Sequence, residues 1–103
     1  VKPLAHVLHR DELERLAGGR TYARGERYAA EGRVLGLERD NGRLQGSVRG
    51  LTGIYRVKIW TSPEGVAYDC TCPVGEEGSF CKHAVAVAIV WLDQVGSTSD
   101  SAR

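Results

Sequence analysis

A chain of 103 residues, 42% hydrophobic and 26% charged, has the composition of one globular domain, which excludes a disordered, collagen-like or purely disulfide-built scaffold. The longest apolar run, residues 84–92, is far short of the roughly 20 residues a membrane-spanning helix needs, so no membrane contact is expected. The net charge of +1 argues against coating a polyanion by bulk charge, yet it conceals nine basic against four acidic residues over 20–58, a local +5, and two against six from 59 onward, a local −4.

No basic start followed by an apolar stretch suggests a secretory signal. The sequence opens on Val1 and contains no methionine, so a piece of a larger protein is expected. Taken in order, the N-terminal stretch reads helical. Leu13, Leu16 and Ala17 recur at helical spacing, Asp11 and Glu12 suit a first turn, and Gly18-Gly19 supplies a stop. A second helix is expected from a cap at Thr21 to about Glu31, with Gly25 as an unexplained interruption.

The middle of the chain predicts antiparallel strands. Residues 34–39 and 43–49 flank Asp40-Asn41-Gly42, a hairpin signal because Asn and Gly accept the backbone that tight hairpins require. Residues 50–53 form another turn. Residues 54–60 then alternate, with Tyr55, Val57 and Ile59 facing the core and Arg56 and Lys58 facing solvent. A turn at 63–65 leads into a last strand over 66–72, which Pro73 ends. Residues 84–92 are ambiguous by periodicity because Ala and Val alternate. A helix over about 80–94 is expected, capped by Ser79, with Val85, Ile89 and Leu92 in one stripe. Residues 96–103 read as a polar tail or linker after a single domain over 1–95.

The motif with chemical content is Cys70-Thr71-Cys72, a gap of eight, then Cys81-Lys82-His83. Three cysteines cannot all pair, so an intracellular, cytoplasmic thiolate site is expected rather than disulfides. In a strand, residues i and i+2 share a side, which presents Cys70 and Cys72 together. Cys81 and His83 cannot be neighbours on a regular helix, so they are placed at its irregular entry, with His83 in the first turn. Three thiolates and one imidazole suit a tetrahedral Zn²⁺, one per chain. A site with four protein ligands is closed to water and substrate, so it is structural. The competing readings are buried thiols beside a satisfied histidine, and a nucleophilic Cys81–His83 pair, which leaves Cys70 and Cys72 unexplained.

Cys-x-Cys, a gap, then Cys-x-His running into an Ala/Val-rich helix resembles the SWIM zinc finger. Cys70-Thr71-Cys72-Pro73 and Phe80-Cys81-Lys82-His83-Ala84-Val85-Ala86 resemble its bacterial versions, and Arg24-Gly25-Glu26-Arg27-Tyr28 and Gly32-Arg33-Val34 resemble the segment that precedes the finger there. The likeness covers roughly 20–92, with the finger proper at about 66–92. It implies a module for DNA binding or protein interaction, with a helicase-type protein among the partners, and no small-molecule substrate. The same cysteine spacing also matches two-iron, two-sulfur proteins held by three Cys and one His. Those place the histidine four residues after the last cysteine with Asp-Gly between, where this chain has Lys82 and then His83.

Weaker signals complete the reading. Arg24 and Arg27 are helical neighbours and Arg56 and Lys58 share a strand face. With Lys82, expected to be exposed between two ligands, they are the candidate nucleic-acid contacts, on one side of the molecule. Trp60 and Trp91 are expected in the core. His6 and His9 have the spacing of a second metal pair but no clear further ligand. No phosphate-binding loop or nucleophile elbow is present, so no enzyme is expected. The sequence thus predicts an α+β fold: N-terminal helices, a three- or four-stranded antiparallel sheet, and a zinc knuckle leading into a C-terminal helix.

Overall fold

A computed structural model of the chain describes residues 8–40, 43–63, 65–73 and 80–101. These residues form the expected α+β fold: helices α1 (Arg10–Ala17) and α2 (Gly19–Ala30), strands β1 (Val34–Asp40), β2 (Arg43–Arg49), β3 (Ile54–Ser62) and β4 (Gly65–Cys70), and helix α3 (Lys82–Ser101). No helix among them is long and apolar enough to cross a membrane.

α1 buries Leu13 and places Asp11 and Glu12 in its first turn, where they complement the helix dipole. Gly18 alone separates α1 from α2. Its amide closes α1 on the Glu14 carbonyl at 2.8 Å, and its carbonyl accepts the first bond of α2 from Tyr22 at 2.9 Å. α2 therefore starts at Gly19 rather than at a Thr21 cap, and Thr21 lies inside the first turn. Arg10 ties the three helices at the surface, reaching Glu26 at 3.4 Å and Asp93 at 3.0 Å.

The four strands form a simple antiparallel meander in the order β1-β2-β3-β4. Asp40 pairs with Arg43, which closes β1 on β2 as the hairpin signal requires; Asn41 and Gly42 lie outside the described residues. Leu44, Val48, Val57, Ile59 and Cys70 are buried, and α3 packs across the face they form. α2 and α1 pack on α3 in turn. This position resolves the periodicity of residues 84–92. Residues 84–89 are all buried because the sheet covers one side of α3 and α2 the other, so the helix is apolar nearly all round rather than striped.

Boundaries also differ from expectation in β3, which runs on to Ser62, and in β4 and α3. β4 ends at Cys70, two residues early. α3 begins at Lys82 and runs to Ser101 instead of spanning about 80–94; its backbone holds no proline to stop it. The proposed cap Ser79 lies outside the described residues, and Cys81 occupies the capping position, its carbonyl accepting from Val85 at 3.1 Å. Trp91 is in the core as expected, but Trp60 is not. It follows Ile59 on β3, so the two-residue strand period turns it to the opposite, open face, where Arg43 lies 6.0 Å over its ring.

Gly25 is explained by a close approach of α2 to α3. A Cβ at this position would stand 2.3 Å from Cγ1 and 2.4 Å from Cβ of Val85. Ala is favoured over Gly by about 1 kcal/mol in an exposed helix interior, but here overpacking of about 1–3 kcal/mol outweighs it. Gly25→Ala should therefore lower the melting temperature, and adding Val85→Ala should make the alanine at 25 less harmful than it is alone. Thermal denaturation of the single and double variants measures this coupling; additive effects would contradict the packing.

Candidate metal centre

β4 delivers Cys70 on the core face of the sheet, opposite Val57. The chain then leaves the ladder through a side-chain substitution. Thr71 still donates its amide to the Arg56 carbonyl at 3.1 Å, but the Arg56 amide donates to Thr71 Oγ1, at 3.0 Å, instead of to the backbone. Cys72 consequently sits in a bend, not in a strand. The two sulfurs do come together, but the turn after Cys70 brings them there, not the strand pleat.

The other pair comes from the start of α3. Cys81 caps the helix, Lys82 is the first helical residue, and His83 lies in the first turn as expected. The sulfur of Cys81 accepts a hydrogen bond from the Ala84 amide, one of the donors a helix start leaves unpaired. The ligand atoms of Cys70, Cys72, Cys81 and His83 all lie within 4.8 Å of one another, and all four residues are buried. They are the one such group of His, Cys, Asp and Glu among the described residues. His6 lies outside the described residues, and His9 precedes α1.

The imidazole orientation selects its donor atom. Nδ1 is 3.9 Å from Cys70 Sγ and 3.9 Å from Cys81 Sγ. Nε2 is buried on the far side without a protein partner, close enough to Gly50 that a Cβ there would stand 3.2 Å away. Tyr55 covers the ring at 4.8 Å between centroids and Tyr28 at 5.6 Å. These two tyrosines and Gly50 were not singled out by sequence reasoning as parts of the site. For Tyr55 a signal existed, since the alternation of β3 already turned it toward the core.

The thiols are electrostatically unequal. The Cys81 thiol is held well below its ordinary value, chiefly by a hydrogen bond from Cys70, with further help from His83 and the Ala84 amide. The Cys70 thiol is pushed up, first by that same partner and then by burial. The donor set fits Zn²⁺: usual zinc bond lengths place sulfur and nitrogen about 3.6 Å apart across a tetrahedron, close to the spacing present. Binding displaces the Cys70 proton, so zinc is held more tightly as pH rises.

The structure does not bring the five candidate cations together. Arg24 and Lys82 line one hollow of about 320 Å³ that opens onto the site itself, with Cys72, Cys81 and His83 in its wall beside Leu51, Tyr55 and Pro73. Arg27 is exposed on α2. Arg56 and Lys58 project from the other face of the sheet, because Val57 and Ile59 between them point at α3. Lys82 is only half-buried rather than fully exposed, its ammonium 5.4 Å over the Tyr28 ring.

Serine is a poor zinc ligand, so Cys72→Ser should bind little zinc. Structural zinc is worth about 10–16 kcal/mol apparent in small fingers, against about 5–15 kcal/mol of net stability for a whole domain. The variant should lose its cooperative melting transition, followed by calorimetry beside metal analysis. A zinc-free variant that melts at the wild-type temperature would contradict a structural metal.

The sequence pattern of the SWIM zinc finger matches residues 55–92, which take in β3, β4, all four clustered residues and the first half of α3. Comparison with curated proteins and with solved structures gives no match. The matched segment is narrower than the upstream likeness from residue 20 suggested. It begins at Tyr55, which covers the imidazole, and ends at Leu92, where α3 leaves the core cluster. Residues 55–92 thus match the SWIM zinc finger, and the four clustered residues within them are consistent with one zinc ion.

Proposed function

We propose that the chain is a non-catalytic recognition module that binds nucleic acid, held in shape by one zinc ion on Cys70, Cys72, Cys81 and His83. The observation that carries the non-catalytic reading is the donor set: four buried protein donors within 4.8 Å of one another are as many as a tetrahedral zinc takes, which would leave no position for water or substrate. When bound, zinc supplies a cross-link between the end of β4 and the start of α3, and it neutralises two of the three thiolate charges. Three thiolates in this role suit a reducing compartment such as the cytoplasm.

The nucleic-acid reading is supported by cations without carboxylate partners. Arg24, Arg27, Arg56 and Lys58 are exposed and enter no ion pair among the described residues. A rigid duplex meets one side of a small domain at a time. Either Arg56 and Lys58 or Arg24 and Lys82 can face it, not all five at once. The electrostatic contribution is accordingly modest.

A second reading has its own observation. Leu51 is 80% exposed and Ile54 61%, and both lie at the turn from β2 to β3, with Leu51 lining the hollow beside the metal centre. Exposed apolar side chains grouped at one place suit docking of a protein partner, of which a helicase-type protein is the candidate.

Salt separates the two readings. Two or three neutralised phosphates give a slope of log K against log salt of about −2 to −3 on duplex DNA. Arg56→Ala and Lys58→Ala should each make it shallower by about one without lowering the melting temperature. Fluorescence anisotropy with a labelled duplex and the zinc-loaded chain measures both. Absence of binding to DNA or RNA at low salt would remove the nucleic-acid reading and leave protein docking.

A further inference from the structure

The sheet has one face covered by α3 and one face bare of any helix among the described residues. On the bare face stand Arg56, Lys58 and Trp60 of β3, with Arg43 of β2 beside them. Trp60 is only partly buried. Its partner across β4 is Ala67, whose methyl group covers little of an indole. A tryptophan that joins no core and lies among cations is costly to leave in water, and its position calls for a ligand that offers both a flat apolar ring and negative charge.

We propose that this face is a platform for single-stranded nucleic acid: Trp60 stacks one base, and Arg43, Arg56 and Lys58 meet the adjoining phosphates. The inference rests on the nucleic-acid reading above and narrows it to one face and one kind of strand. Three features favour a single strand over a duplex. Stacking on a side chain requires a base whose face is free, which a duplex does not present. The net charge of the face is small, since Glu38 and Asp69 share it, which favours a ligand that adds base stacking to its phosphate contacts over one held by charge alone. A shallow hollow of about 180 Å³ lies on the same face, with Gln45, Ser47, Glu38 and Arg56 offering donors and acceptors to a base edge. Neither base stacking nor phosphate contact depends on a 2′-hydroxyl, so DNA and RNA strands should bind alike.

The test uses intrinsic fluorescence. The chain has two tryptophans, and Trp91 is buried at 3% exposure, so quenching by a stacked base reports Trp60. Short oligo(dT), oligo(U) and a blunt duplex are titrated into the zinc-loaded 103-residue chain. Both single strands should quench saturably, with a log K–log salt slope of about −2 for three phosphates at −0.7 each. Trp60→Leu should weaken oligo(dT) binding roughly ten-fold, and Trp60→Phe, which keeps a ring, clearly less. Both variants should keep zinc and melt near the wild type, since Trp60 lies outside the core cluster. Equal binding by wild type and Trp60→Leu, or single-strand binding without quenching, overturns the platform. Salt-sensitive duplex binding without single-strand quenching overturns the platform while leaving the broader nucleic-acid reading intact. Failure of every nucleic acid to bind overturns both.

Discussion

A buried cluster of three cysteines and a histidine is the constraint on which the rest of this structure depends. Thiolates withdrawn from water need a positive partner, because an uncompensated buried charge costs several kcal/mol. The protein supplies part of the compensation itself, through the Ala84 amide at the start of α3 and the hydrogen bond between Cys70 and Cys81. A divalent cation supplies the rest. Whatever holds these four residues also joins the last strand of the sheet to the helix that forms the centre of the core. Local chemistry and global packing are thus one event.

That coupling accounts for details that look unrelated. Thr71 gives up a backbone ladder bond to a hydroxyl so that the chain can turn Cys72 inward. Gly50 is buried against the imidazole and Tyr55, where a Cβ would stand 2.5 Å from the tyrosine ring. Gly25 lets α2 approach α3 near the helix start that carries Cys81 and His83. Each of these residues removes bulk or redirects a hydrogen bond within a short distance of the four clustered residues. Small domains of this size bury limited apolar surface, and a metal cross-link offsets what the core lacks.

Much of this was legible in the sequence. The alternation of β3 assigned Val57 and Ile59 to the core and Arg56 and Lys58 to the outside, and the cluster was readable from spacing alone. The same alternation, carried one residue further, turns Trp60 outward; the usual preference of tryptophan for cores concealed that. The end of β4 was not readable, because it depends on a hydroxyl of Thr71 outcompeting a carbonyl for the Arg56 amide. Nor was the cap of α3, since cysteine is not a usual capping residue and caps here through a sulfur that accepts the Ala84 amide. The division of the cations between two faces was hidden for another reason: sequence gives strand faces and helix faces separately, and only the packing of α3 between sheet and α2 sets them apart.

The central claim is that one zinc ion, held by three sulfurs and one nitrogen, clamps the sheet to α3. X-ray absorption at the zinc edge, on protein purified without added metal and assayed for metal content, tests it directly. The expected result is one zinc per chain with three sulfur neighbours near 2.3 Å and one nitrogen near 2.0–2.1 Å. Stoichiometric iron, or a zinc shell containing water oxygen in place of one of the four ligands, would contradict it.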